Sequence, residues 1–172
     1  MSVNKYKPHV WVLPEDDANR QLANGFLLHA DLDPTAIDIR PPAGGWRKAV
    51  DAVAQHIAEL RNDPCRQLVL LVDLDEQGEE RVRQIREAFP ADLQERIYLL
   101  SSYDEPEALK VDQGRSFERL GEDLAEACAR DELGLWGTEH LKHNKPELSR
   151  LVVGVKPILF PRLPNIESQV FR

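Results

Sequence analysis

Gln67-Leu68-Val69-Leu70-Leu71-Val72-Asp73-Leu74-Asp75-Glu76-Gln77-Gly78-Glu79 decides the fold. The apolar run from Leu68 to Val72 is unbroken, as a central strand of a parallel sheet must be when helices cover both its faces. The run stops at two aspartates, and a helical pattern then opens at about Glu79, with Val82, Ile85 and Phe89 on one side.

The same alternation extends in both directions. His9 to Leu13 reads as a short strand, followed by Pro14-Glu15-Asp16-Asp17 and a helix carrying Ala18, Leu22 and Phe26, with Ala23 and Leu27 alongside. Asp16 or Asp17 suits its N-cap. Thr35 to Arg40 reads as a second strand ended by Pro41 and Pro42. Gly44-Gly45 then opens a helix over Trp46 to Leu60, with an apolar stripe of Trp46, Ala49, Val50, Val53, Ile57 and Leu60. Arg96 to Leu100 is the fourth expected strand, and a helix is expected from Ser116 to Arg130. The stretch from Leu133 to Phe160 is expected to be helical, with interruptions at Gly137 and Pro146. Strands alternating with helices predict an α/β fold with a parallel, three-layer, Rossmann-like sheet and a helical C-terminal extension. The expected divisions are a core over 1–110, an extension packed on it over 111–160, and an extended tail over 161–172.

The totals set limits. The chain has 172 residues, which suits one domain with an appendage. It contains 42% hydrophobic and 30% charged residues, an ordinary balance for a soluble protein. No apolar run approaches the roughly 20 residues a membrane span needs, and the N-terminus has no apolar signal core. Cys65 and Cys128 lack metal-type spacing and read as free thiols in a reducing compartment. A cytoplasmic protein without membrane contact is the expectation. The net charge of −8 disfavours independent tight binding to nucleic acid, where cationic contacts to phosphate supply much of the affinity. The acidic charge favours a protein partner, and a homo-oligomer is the other expectation held open.

In open α/β sheets ligands sit beyond the carboxyl ends of the strands. Glu15 follows the first strand, and Asp73 and Asp75 follow the third. Residues two apart in extended chain point the same way, so the aspartates are expected to face one ligand together. Three close carboxylates repel unless a cation neutralises them, and hard oxygen ligands suit Mg²⁺ or Mn²⁺.

Asp73-Leu-Asp75-Glu-Gln-Gly78-Glu79 resembles the Asp-x-Asp-x-x-Gly-Glu box of TOPRIM domains, which occur in type IA topoisomerases, primases and several nucleases. Glu15 stands where that family has a glutamate after its first strand, and Gly44-Gly45 is similar to a turn in its nuclease-type members. The resemblance covers about residues 8–105. It implies Mg²⁺-dependent phosphoryl transfer, with nuclease (hydrolase) chemistry as the first expectation. Glu15 would be the catalytic acid/base, and Asp73, Asp75 and Glu79 would hold the metal. Pro14 and Asp16 flank Glu15 where the family reads apolar-Val-Glu-Gly, so a catalytically inactive TOPRIM-like module that binds a protein partner is the alternative. The order Glu15-Asp16-Asp17, Asp73 and Ser101 also resembles a response-regulator receiver. The receiver's Lys-Pro pair is not at the matching distance: Lys145-Pro146 and Lys156-Pro157 come much later.

Phosphate or nucleic-acid contacts would fall to Gly44, Gly45, Arg47 and Lys48 at a helix start, and to the basic cluster Lys142, His143 and Lys145, with Arg150 beside it. A glycine turn and a solvated loop are the plainer readings of these segments. Trp46 and Trp136 read as core anchors.

Overall fold

The computed structural model describes residues 3–164. Four strands, β1 (His9–Pro14), β2 (Ile37–Ile39), β3 (Arg66–Asp73) and β4 (Ile97–Ser102), form one sheet in the order β2-β1-β3-β4. Every pairing is parallel. Among the described residues seven α-helices accompany it: α1 (Asp17–Phe26), α2 (Trp46–Asn62), α3 (Gly78–Glu87), α4 (Pro106–Gln113), α5 (Phe117–Arg130), α6 (Lys145–Gly154) and α7 (Lys156–Leu159).

The strand period of two divides the apolar residues between two cores. Trp11, Leu13, Leu68, Leu70, Val72, Ile97 and Leu99 pack with Ala49, Val53 and Leu60 of α2 and Ile85 of α3. Val10, Val12, Val69 and Tyr98 face the other way, toward Ala23 of α1, Ala125 of α5, and Val155, Leu159 and Phe160 near the C-terminus. The sheet is thus covered on both faces, as its apolar strands require. The helical extension forms part of the second covering layer. A third cluster, with Leu109, Phe117, Leu120, Trp136 and Leu148, joins α4, α5 and α6 beyond it.

α1 and α5 cross at glycine. A Cβ on Gly25 would lie 2.2 Å from the Glu118 carbonyl oxygen, and one on Gly121 would lie 2.1 Å from that of Leu22. The two backbones approach as closely as they do because neither residue has a side chain.

Several boundaries differ from the sequence expectation, each for a local reason. β2 begins at Ile37 because Asp33 holds Thr35 in a turn: its Oδ1 accepts from the Thr35 N–H at 2.9 Å and from the Thr35 hydroxyl at 2.7 Å. α3 ends at Glu87 and Phe89 packs from a turn, as expected when Pro90 disfavours helix in the residue before it. β4 runs two residues past Leu100, through Ser101 and Ser102. α4 is an added helix that starts with Pro106 at its first turn and ends at Gly114 with φ 61°. The expected division at residue 110 falls inside it. Of the expected tail, 161–164 forms a turn and 165–172 lies outside the described residues. No helix among the described residues is long and apolar enough to cross a membrane.

Candidate functional site at the carboxyl edge of the sheet

The two central strands bring Glu15 and Asp73 together. β1 and β3 are neighbours, with Leu13 opposite Leu70 and Pro14 opposite Leu71, and the Glu15 N–H continues the ladder to the Leu71 carbonyl at 2.8 Å. The Asp73 N–H then donates to Glu15 Oε2 at 2.8 Å. The Glu15 carbonyl accepts from the N–H groups of Gly44 (2.8 Å) and Gly45 (3.2 Å), whose φ angles are 86° and 131°. The Gly-Gly turn therefore fastens the start of α2 to the end of β1. Burial raises the Glu15 pKa above the usual carboxylate value. The backbone N–H groups of Asp73 and Trp46 oppose that shift, and the charges of Asp16 and Asp75 add to it.

Asp73 is buried, 5% exposed. Its Oδ1 accepts from Asn19 Nδ2 at 3.0 Å and from the Ser102 hydroxyl at 2.8 Å. Both donors fall on Oδ1, and none of the side-chain hydrogen bonds of the described residues goes to Oδ2. Burial pushes the Asp73 pKa up to about 7, against the two hydrogen bonds and with help from the Asp16 and Glu15 charges. Asn19 is itself placed by Asp16, the α1 N-cap, whose Oδ1 accepts from both the Asn19 N–H (2.9 Å) and its Nδ2 (3.1 Å).

Asp75 does not face the same way. The chain leaves the strand at Leu74, which has helical angles of φ −84° and ψ −21°, and Asp75 takes a left-handed φ of 49°. The extended geometry that would have aligned the two aspartates ends one residue too early. Asp75 is half-exposed and pairs with Arg81 through Oδ2. Arg81 is 7% exposed, stacks 5.1 Å from the Trp46 ring, and donates to the Asp73 carbonyl at 3.0 Å. Its Nε is buried and has no partner among the described residues. Arg81 is the basic residue at this edge that the sequence reading passed over. The available signal was its place on the first turn of α3, directly after the acidic box.

Glu79 is exposed on the first turn of α3. Among the described residues no group of three or more His, Cys, Asp or Glu side chains converges as a formed metal cluster. Glu15 and Asp73 are the acids that lie at the ends of the neighbouring strands β1 and β3, and Mg²⁺ is commonly held by one or two carboxylates together with water and phosphate oxygens.

Arg47 and Lys48 are exposed at the start of α2. The Arg47 guanidinium lies 5.3 Å from the Trp46 ring. Of the cluster Lys142, His143 and Lys145, the two lysines are exposed and His143 is half-buried. Lys142 pairs with Glu139 at 2.6 Å, and Lys145 is exposed at the start of α6. Arg150 bonds to Glu147 and to the Gln94 and Ile97 carbonyls. His140 contacts Asp112 at 2.6 Å, away from His143.

His143 and Asn144 hold the end of β4. Asn144 is 3% exposed. Its Oδ1 accepts from the Ser101 N–H at 2.9 Å and its Nδ2 donates to the Ser101 carbonyl at 2.7 Å, so one side chain pairs with edge β4 as a neighbouring strand would. The Ser101 hydroxyl lies 2.9 Å from His143 Nε2. Burial lowers the His143 pKa, and its buried Nδ1 has no partner among the described residues. Ser102, rather than Ser101, meets Asp73. Asp16 and Asp17, the acids that prompted the receiver comparison, are engaged at the start of α1: Asp16 caps the helix, and Asp17 accepts from Arg20 and Gln21.

Compared with protein-family models, with curated proteins and with solved structures, the chain matches none.

Proposed function

We propose that the carboxyl edge of the sheet is a divalent-cation site for phosphoryl transfer, with a nucleic-acid phosphodiester as substrate. The observation that carries this reading is the pairing of Glu15 and Asp73 at adjacent strand ends, with Asp73 Oδ2 taking no side-chain hydrogen bond among the described residues. Two neighbouring carboxylates with raised pKa values form a site that gains from a cation.

Mg²⁺ or Mn²⁺ held by Asp73 with water and phosphate oxygens would supply charge neutralisation at the phosphoryl oxygens. Glu15 is then the group that moves a proton, taking it from the attacking water or giving it to the departing oxygen. Asn19 and Ser102 hold the Asp73 carboxylate in one orientation. Arg81 supplies fixed positive charge beside the carboxylates, and the exposed Arg47 and Lys48 can meet a phosphate backbone.

The test is cleavage of single-stranded and duplex DNA and RNA with Mg²⁺ or Mn²⁺, comparing the native protein with folded Glu15→Gln and Asp73→Asn. Metal-dependent cleavage lost in both variants supports the reading. Equal activity in all three proteins contradicts it.

One observation favours a second reading. Arg81 neutralises Asp75 within the protein, as a binding module without catalysis would allow. With the net charge of −8, such a module would take a protein partner.

A further inference from the structure

We infer that the protein binds a small uncharged apolar or aromatic molecule, between benzene and indole in size, in a cavity between the sheet and its second helical layer. Its rim adjoins Asp73 through Asn19 and Ser102, but the inference does not depend on the function proposed for the carboxylates.

The cavity has a volume of about 150 Å³. Interiors close-pack, with few voids larger than one water molecule, and a water's share of liquid volume is about 30 Å³. The space is therefore several waters large, yet its walls are apolar. The sheet contributes Val12, Val69, Leu71 and Leu100, and the helices opposite contribute Leu22 and Leu151. Leu71 and Leu100 lie on the two strands β3 and β4, inside the covered face, yet are only half-buried, as are Leu22 and Leu151 across from them. Apolar side chains in the middle of a covered layer lack neighbours on one side. A void of about this volume with such walls has room for a benzene-like guest. A drug-sized ligand or a nucleotide needs roughly 300 Å³ or more and does not fit.

The polar groups at the rim select against charge. Asn19 Nδ2 and the Ser102 hydroxyl donate to Asp73, and Ser101 is in contact with His143. Lys156, which also lines the space, is 5% exposed and pairs with Asp131 at 2.6 Å. The Trp136 N–H is directed to the Leu124 carbonyl at 3.2 Å. Among the described residues the one cation lining the space, Lys156, is paired with Asp131, and a cationic guest would be buried in an apolar space. What remains is acceptor capacity, such as the lone pairs of Ser102 Oγ, which suits a guest with at most one N–H or O–H. Through Ser102 and Asn19 an occupant would touch the same groups that orient Asp73.

The experiment is a methyl-resolved NMR titration of the full chain with benzene and with indole. The expected result is saturable shifts of the Val12, Val69 and Leu100 methyls. Leu68 and Leu70, which face the opposite core, should not respond. Half-saturation is expected on the order of 0.1–1 mM for ligands of six to nine heavy atoms. Filling the space with Leu151→Phe or, separately, Cys128→Leu should weaken binding by about tenfold or more without lowering Tm, as cavity-filling substitutions do. No methyl response up to the solubility limit overturns the inference in the native protein alone. Shifts that persist unchanged in a folded filling variant also overturn it, because the guest would then sit elsewhere.

Discussion

The backbone N–H of Asp73 donates to the Glu15 carboxylate at 2.8 Å, so the two acids are positioned by one another rather than by independent loops. Glu15→Gln preserves an acceptor and removes a charge that helps raise the Asp73 pKa. It should leave Tm nearly unchanged and lower the Asp73 pKa in a carboxyl-resolved NMR titration. Glu15→Ala leaves the Asp73 N–H without its partner and should cost about 1–3 kcal/mol in denaturant unfolding.

Stability in metal-free buffer should depend on Asp73 protonation. Its pKa is raised from 3.8 when unfolded to about 7 when folded, chiefly by burial. The folded state therefore holds more protons between these values. The contribution is complete below about pH 4 and is lost as pH rises through about 7. The loss is at most about 4 kcal/mol, from roughly 1.4 kcal/mol per pKa unit. Asp73→Asn should flatten this slope and be more stable than the native protein at pH 8. Urea unfolding across pH 4–8 checks it, and an equal slope in both proteins would contradict it.

Cation affinity should run the other way. A proton and a cation compete for the same Asp73 oxygen, so Mg²⁺ should bind more tightly as pH rises from 6 to 8, by up to about tenfold per unit below the pKa. Proton release on binding, measured by calorimetry in buffers of different ionisation heat, is the readout.

Asn144 should matter to stability more than a surface amide would. Replacing it with Ala removes both bonds to Ser101 and leaves two backbone groups near the end of β4 without partners. The expected cost is about 1–3 kcal/mol, with loss of hydrogen-exchange protection at the Ser101 amide. Protection unchanged in the variant would show that the side chain does not hold the strand.

The fold was legible wherever the signal was local. The run from Leu68 to Val72 could only be a doubly covered strand. The stripes beginning at Ala18 and Trp46 fixed two helices, and the alternation placed Glu15 and Asp73 at one edge. What was hidden rests on contacts distant in sequence or on a single residue's angles. Leu74 turns the chain and sends Asp75 to Arg81, although Asp-x-Asp reads as extended. Ser101 and Ser102 read as loop because nothing local announces that Asn144 and Asp73 will pair with them. The short α4 carries few apolar residues and rests on Pro106 and Leu109. Gly25 and Gly121 permit the α1–α5 crossing from positions nearly a hundred residues apart.

The most direct test of the carboxylate site is calorimetric titration of the purified protein with Mg²⁺ and Mn²⁺ at pH 8, beside a folded Asp73→Asn variant. The account predicts saturable binding that the variant loses. No binding at millimolar metal, with both proteins equally folded, would contradict the cation site and leave the partner-binding module as the reading of this edge.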